Sequence, residues 1–177
     1  MNTIASHIDP SMIAFALDQS YNAVLVTDAN TGEAGHRIIF VNQAFLRMTG
    51  YSEEELLGRN PRILQGPETC PEVIARLRQS LQDGTYFEGS TVNYRKDRQP
   101  YTVEWNISPV RNHAGEITHF ISLQQDISSL VAVQKTTQLF AQVLNATDDG
   151  VLITDSRGII EFVNSAFEKI TGYRLHE

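Results

Sequence analysis

Apolar positions change their period several times along this chain, and each change marks a predicted element. Residues 11–20, SMIAFALDQS, put Met12, Ile13, Ala16 and Leu17 on one helical face. Residues 23–28 and 37–42 are short β-branched runs flanking the polar loop NTGEAGH, which predicts a strand pair. Residues 42–49 are helical in pattern, with Gly50 placed as a C-cap. Ser52 and Glu55 have capping-box spacing and open a short helix through Leu57. Residues 59–67, with Pro61 and Pro67, read as irregular. Pro71 suits the first position of a helix running to Gln82, whose apolar face is Val73, Ile74, Leu77 and Leu81 and which Gly84 closes. Three strand-like runs follow, at 87–96, 101–110 and 117–127, joined by the turns KDRQP and RNHAGE. The expected class is α+β: one five-stranded antiparallel sheet with short helices on one face.

Strand alternation assigns side chains to faces. Tyr101, Val103, Trp105 and Ile107 point one way, and Thr102, Glu104, Asn106 and Ser108 the other. A register slip of one residue would expose Trp105, the only tryptophan. Residues 127–148 form a further helix on which Leu130, Val133, Thr137, Phe140 and Leu144 are spaced 3-4-3-4. That stripe reads either as a dimerising connector or as a helix packed on its own sheet.

The chain also repeats itself. VLVTD…FVNQAFLRMTGY at 24–51 returns as VLITD…FVNSAFEKITGY at 151–173, with the first loop five residues longer. The offset is 122 to 127 residues, the size of one domain, so the pattern predicts tandem homologous units. The expected organisation is a cap helix at 1–20, a full domain at 21–128, a helical connector at 129–146, and the start of a second copy at 147–177.

Composition narrows the classes. Fourteen basic against 21 acidic residues give a net charge of −7, which argues against a nucleic-acid partner. No run approaches the roughly 20 apolar residues of a membrane span, and the N-terminus lacks the pattern of a secretory signal. One cysteine, Cys70, precludes an internal disulfide and fits a reducing, cytoplasmic setting. The five histidines, His7, His36, His113, His119 and His176, are scattered, and no nucleophile, phosphate-loop or zinc motif is present. Neither catalytic residues nor a metal site is expected.

Taken in order and at matching spacing, several segments resemble the PAS superfamily: FVNQAFLRMTGYSEEELLGRN, NYRKDRQPY, ISPVRNHAGEITHFISLQQDIS and the closing Asp126–Ser128. The resemblance covers residues 21–128 and resumes at 147–177. Within the superfamily, GRNPRILQGPET at 58–69 resembles the light-oxygen-voltage (LOV) signature GxNCRFLQGxxT, and NYRKD and Gln124 fit it too. The likeness implies the PAS fold and a bound flavin, FMN ahead of FAD. Asn60 and Gln65 would lie near the ribityl chain. Arg62 and Arg78 would hold the phosphate, as an Arg fork suits that group. Asn93 would bond the polar edge of the isoalloxazine ring, and Gln124 would sit near its N5. Leu25, Thr27, Leu64, Ile74, Leu77, Phe120 and Ser122 would line the pocket.

Three positions depart from the LOV pattern. Pro61 stands where the photoadduct cysteine would be and offers no nucleophile. Val103 replaces an asparagine that would hold the ring. Trp105 falls on the pocket face, where an indole either fills the core or donates an electron to a flavin. The resemblance therefore implies a sensor that signals by flavin redox change or photoreduction without a cysteinyl adduct. It would be a homodimer through its N-terminal and connector helices and would relay to a C-terminal output domain in cis. The alternative is a cofactor-free PAS module for dimerisation and relay.

Overall fold

The computed structural model describes residues 9–30 and 35–174, in two compact units that meet at the Ser128/Ser129 boundary. In the first unit α1 (Pro10–Asp18) precedes β1 (Ala23–Asp28), β2 (Ile38–Val41), α2 (Gln43–Thr49) and α3 (Glu53–Leu56). A 3-10 turn (Pro61–Leu64), α4 (Pro71–Asp83), β3 (Phe87–Tyr94), β4 (Pro100–Arg111) and β5 (Ile117–Asp126) complete it. α5 (Ser128–Ala146) follows, and β6 (Leu152–Thr154), β7 (Ile160–Val163) and α6 (Ser165–Thr171) form the second unit's sheet and helix.

The five strands pair antiparallel in the order β2-β1-β5-β4-β3. The class is α+β, as the patterning requires. Boundaries differ by a residue or two from the sequence reading, and each difference has a local cause. Asn42 belongs to neither β2 nor α2 but is the N-cap between them. The 59–67 stretch is not wholly irregular, because Asn60 caps a 3-10 turn that starts at Pro61. The capping box at Ser52 and Glu55 is formed, and Leu57 terminates that helix rather than extending it. Of the NTGEAGH loop, residues 31–34 lie outside the described residues.

The first helix lies with its apolar stripe largely open at the described positions, in keeping with a solvent-side cap. Met12 is 63% exposed, Ala16 is exposed, and only Leu17 is half-buried; the side chain of Ile13 lies outside the described residues. α1 is instead fastened by its C-terminal end. Leu17 O accepts from Asn42 Nδ2 at 2.9 Å, and Asp18 Oδ1 accepts from Gln43 N at 3.0 Å.

Asn42 organises the start of the unit. Its Oδ1 accepts from Val24 N and Phe45 N, and its Nδ2 donates to Leu17 O and Asn22 O, so one buried side chain joins β1, α1 and α2. Such a residue must be an amide, since only an amide presents two acceptor sites and two donors together. In the second unit Asn164 makes the equivalent set with Val151 N, Phe167 N, Leu144 O and Asp149 O. Both helices end on a left-handed glycine, Gly50 at φ 75° and Gly172 at φ 78°.

The core divides in two. One cluster gathers Leu25, Ile38, Val41, Phe45, Leu56 and Leu64 beneath α2 and α3. The other gathers Phe87, Tyr101, Val103 and Trp105, with Val73 and Leu77 of α4 packed on it. Burying these side chains contributes roughly 1.5–3 kcal/mol each before entropy is counted. Residues from both clusters border the space described next.

On α5, Leu130, Val133 and Phe140 each expose more than half their surface, while Leu144 is half-buried. No helix among the described residues is long and apolar enough to cross a membrane.

Candidate ligand cavity

The sheet and the short helices enclose a cavity of about 320 Å³. Its floor is the inner face of the sheet. Antiparallel register sets Leu25 beside Ser122 and Ser122 beside Ile107, and it sets Gln124 between Ala23 and Trp105. Thr27 pairs with Phe120 one step further along. Residues two apart share a face, so Phe120, Ser122 and Gln124 of β5 all point inward and are buried. Asn93 reaches the same space from β3.

The roof comes from the proline-bracketed segment and α4. Asn60 Oδ1 accepts from Arg62 N at 3.0 Å, which sets the 3-10 turn and brings Pro61, Arg62, Leu64 and Gln65 to the cavity. The loop after it is stitched to β3. Thr69 Oγ1 accepts from Gly66 N and donates to Val92 O, and Cys70 N donates to Thr91 Oγ1. Gly66 is required there, because a Cβ would lie 2.3 Å from the Tyr94 ring. Ile74, Leu77 and Arg78 project from α4; Ile74 is buried, whereas Arg62 and Arg78 are exposed at the mouth.

Fifteen of the sixteen residues picked out from the sequence thus line one cavity. The sixteenth, Val103, does not. It pairs with Thr91 and Asp126, one row beyond Trp105, and is fully buried in the second cluster. Cys70 is also absent from the lining; it is the N-cap of α4, and its free thiol donates to Glu72 Oε2 at 3.0 Å.

Six lining residues escaped sequence reasoning. Ile107 and Leu81 carried a signal, since Ile107 alternates with Trp105 and Leu81 shares the apolar stripe of α4. Asn30, Gly35, His36 and Gln82 carried none. His36 stands edge-on to Phe120, ring centroids 5.1 Å apart, with its Nδ1 3.1 Å from Asp28 O. That part of the wall depends on contacts between positions far apart in sequence, such as His36 with Phe120, which no local pattern encodes.

The electrostatics of the cavity are those of neutral amides. Gln124 Nε2 donates to Ser122 Oγ at 3.2 Å. Gln124 Oε1, Asn93 Oδ1 and Trp105 Nε1 are buried and find no hydrogen-bond partner among the described residues. Buried polar groups normally do find partners, and leaving one bare costs about 1–3 kcal/mol. Two acceptors and a donor therefore border one mostly apolar space. A flat heteroaromatic with a polar edge and an anionic tail suits this donor set, the two mouth arginines included.

At the far end of β5 lies a second polar cluster. Asp126 Oδ1 accepts from Ser128 N at 2.9 Å and Ser128 Oγ at 2.6 Å, while Asp126 Oδ2 pairs with Arg95. Burial pushes the Asp126 carboxyl up, but the Ser128 and Arg95 hydrogen bonds outweigh it and hold the group below its ordinary value. Thr102 N donates to Ser128 Oγ at 2.8 Å, and Arg95 also bonds Met48 O. The first residue of α5 is thereby tied to β4 and β5.

Known proteins are similar to this chain in sequence and in fold. The PAS domain profile matches residues 22–129, and a second PAS domain profile matches 138–177. A nitrogen fixation regulatory protein of Klebsiella oxytoca is 31% identical over 90% of this chain and 32% of its own length. Blue-light-activated histidine kinase 1 of Erythrobacter litoralis is 31% identical over 93% of this chain and 49% of its own. The chain thus spans between about a third and a half of these curated relatives. A solved structure reported under "Flavin Analogue Sheds Light on Light-Oxygen-Voltage Domain Mechanism" superposes with a TM-score of 0.63 at 29% identity, covering 76% of this chain and 97% of that one.

Proposed function

The chain belongs to the PAS domain family, and on that premise we propose that its full unit is a flavin-binding sensor that signals through flavin redox change, chemical or photochemical, with no bond from cysteine to the ring. The observation that carries this reading is the trio of unpartnered buried atoms, Asn93 Oδ1, Trp105 Nε1 and Gln124 Oε1, around a cavity of about 320 Å³. The relatives support it, since one is a blue-light-activated kinase and one solved neighbour concerns a flavin analogue.

Arg62 and Arg78 at the mouth would take the phosphate, and Asn60 and Gln65 the polyol between phosphate and ring. The volume lies near the lower end of ligand pockets, roughly 300–1,000 Å³, which favours FMN over FAD. A bound flavin would supply reversible electron and proton uptake at its ring. Pro61 offers no thiol on the roof, and Cys70 is not in the lining, so the protein responds through hydrogen bonds.

Gln124 is the responsive group. Ser122 holds its Nε2, so its Oε1 would be free to accept from a protonated ring edge, and rotation of the amide would present a donor instead. Two residues on, Asp126 grips the first residue of α5. A shift of β5 at Gln124 would therefore pull on the helix that leads into the second unit and, through it, toward an output domain. The exposed stripe of Leu130, Val133 and Phe140 is the face by which α5 would pair with a second copy, and in the first unit α1 likewise exposes Met12 and Phe15. That stripe would serve a cofactor-free relay module equally well.

Visible absorption of the purified protein tests the reading, together with reconstitution by FMN, FAD and riboflavin. One flavin per chain, recovered as FMN on extraction, is the expected result. A colourless protein that takes up none of the three rejects it in favour of the cofactor-free module.

A further inference from the structure

His36 stands in the cavity wall with one ring nitrogen already committed. Its Nδ1 lies 3.1 Å from Asp28 O. A carbonyl oxygen can only accept, so Nδ1 carries the proton of this bond. In the neutral imidazole Nε2 then keeps its lone pair and is an acceptor. Nε2 makes no hydrogen bond to any described residue. His36 lines the cavity and Asp28 does not, so the ring turns its Nδ1 edge to β1 and leaves the Nε2 edge toward the cavity.

Neighbouring residues hold the ring in this place. Asp28 Oδ1 accepts from Arg37 N at 2.7 Å, and Asp28 N donates to Arg37 O at 3.0 Å, so the residue after His36 is clamped to the end of β1. The residue before it, Gly35, runs so close to Asn60 that an added Cβ would stand 2.7 Å from Asn60 Nδ2. The ring itself meets Phe120 at 72°. Phe120 is four residues from Gln124 on β5, about 13 Å at the rise of an antiparallel strand. His36 thus lies on the Asn60 side, at the end of the cavity away from Gln124.

We infer that His36 is a ligand-contact residue whose Nε2 accepts a hydrogen bond from a hydroxyl of the ligand's polyol chain. With a flavin as ligand, the reading on which this inference rests, Gln124 meets the ring and Asn60 the polyol, so the free nitrogen falls beside the hydroxyls. An acceptor at that point discriminates. A hydroxyl can donate to it, whereas an ionised phosphate oxygen, itself an acceptor, cannot. His36 therefore selects a hydroxylated chain, while Arg62 and Arg78 select the anionic end. Counting back from the shared FVN, Gly158 stands at the corresponding place in the second unit, so the imidazole belongs to the full unit alone.

The test titrates wild type and His36→Phe, which keeps a ring against Phe120 but has no nitrogen, with lumiflavin, riboflavin and FMN. Lumiflavin carries a methyl group in place of the polyol. His36→Phe is expected to bind riboflavin and FMN more weakly by the same factor, roughly two- to tenfold, the range of one neutral hydrogen bond, and to bind lumiflavin as wild type does. A loss confined to FMN would make His36 a phosphate contact, and an equal loss for all three would make it a support of the wall; either overturns the inference. Nitrogen NMR spectra of wild type at about pH 8, above the ordinary histidine range, read the ring directly. The Nδ1–H tautomer in the unliganded protein, kept with a shifted Nε2 resonance once riboflavin is bound, supports the inference, and a proton on Nε2 overturns it. If wild type binds none of the three ligands, the flavin reading falls and this contact with it. If wild type binds them and His36→Phe loses nothing, this contact alone falls.

Discussion

Asn42 and Asn164, 122 positions apart, make the same four hydrogen bonds in their respective units. Each accepts from the first β-strand segment and from the helix it caps, and each donates to two carbonyls of the preceding segment. The repeat visible in the sequence is thus a repeat of one buried polar junction.

Replacing Asn42 by Ala leaves two buried N–H groups and the Asn22 carbonyl without this partner, while Leu17 O keeps its bond from Ser20 N. The expected loss is about 3 kcal/mol or more for the first unit, since each bare buried group costs roughly 1–3 kcal/mol. Urea unfolding followed by Trp105 fluorescence measures it. A change within 1 kcal/mol would show that water replaces the side chain.

Charge at the cavity mouth is separable from ring binding. Arg62→Ala and Arg78→Ala should each weaken FMN about tenfold or more, because hydrogen bonds to charged groups contribute roughly 1.5–3 kcal/mol. Riboflavin, which lacks the phosphate, should bind both variants as it binds wild type. Equal losses for the two ligands would place the phosphate elsewhere.

Gln124→Leu tests the responsive amide. The flavin should remain bound, while the difference in hydrogen exchange at residues 128–135 between oxidised and reduced protein disappears. If that difference persists at full size, the signal leaves the cavity by a route other than β5.

Asp126 predicts a pH limb. Its folded carboxyl titrates below its ordinary value, so the unfolded chain takes up the proton first as pH falls. The stability it contributes is complete above about pH 4 and is lost as pH drops through the lower folded value. Asp126→Asn should be less stable at pH 7 and should show a flatter acid limb in denaturant titrations. Parallel acid limbs for the two proteins would count against this pairing.

The apolar stripe on α5 predicts assembly. Phe140→Glu places a charge on a face that Leu130 and Val133 share, and it should convert a dimer to a monomer in light scattering at matched concentration. A variant that stays dimeric would move the interface away from α5.

Much of this protein was legible before folding. Strand alternation, capping signals and the internal repeat are local or strictly periodic, so they determined the α+β class, the element order and the inward face of β4 that carries Trp105. The polar residues brought to the cavity were legible through resemblance to a family motif, not through periodicity; an exposed Arg78 looks like any solvated arginine until α4 is laid against the sheet.

What tertiary structure alone decided concerns residues whose role is set by distant partners. Met12 and Ala16 share a helical face, yet both are exposed among the described residues, and a hydrogen bond from Asn42 fastens their helix. Val103 and Trp105 share one face of β4, yet their cross-strand neighbours differ. Trp105 pairs with Gln124 and borders the cavity, while Val103 pairs with Thr91 and Asp126 in packed core. His36 stands at the cavity wall through its edge-on contact with Phe120, a residue far away in sequence. The chain's own pattern sets which way a side chain points; strand register and loop packing, which join positions far apart in sequence, set what it meets there.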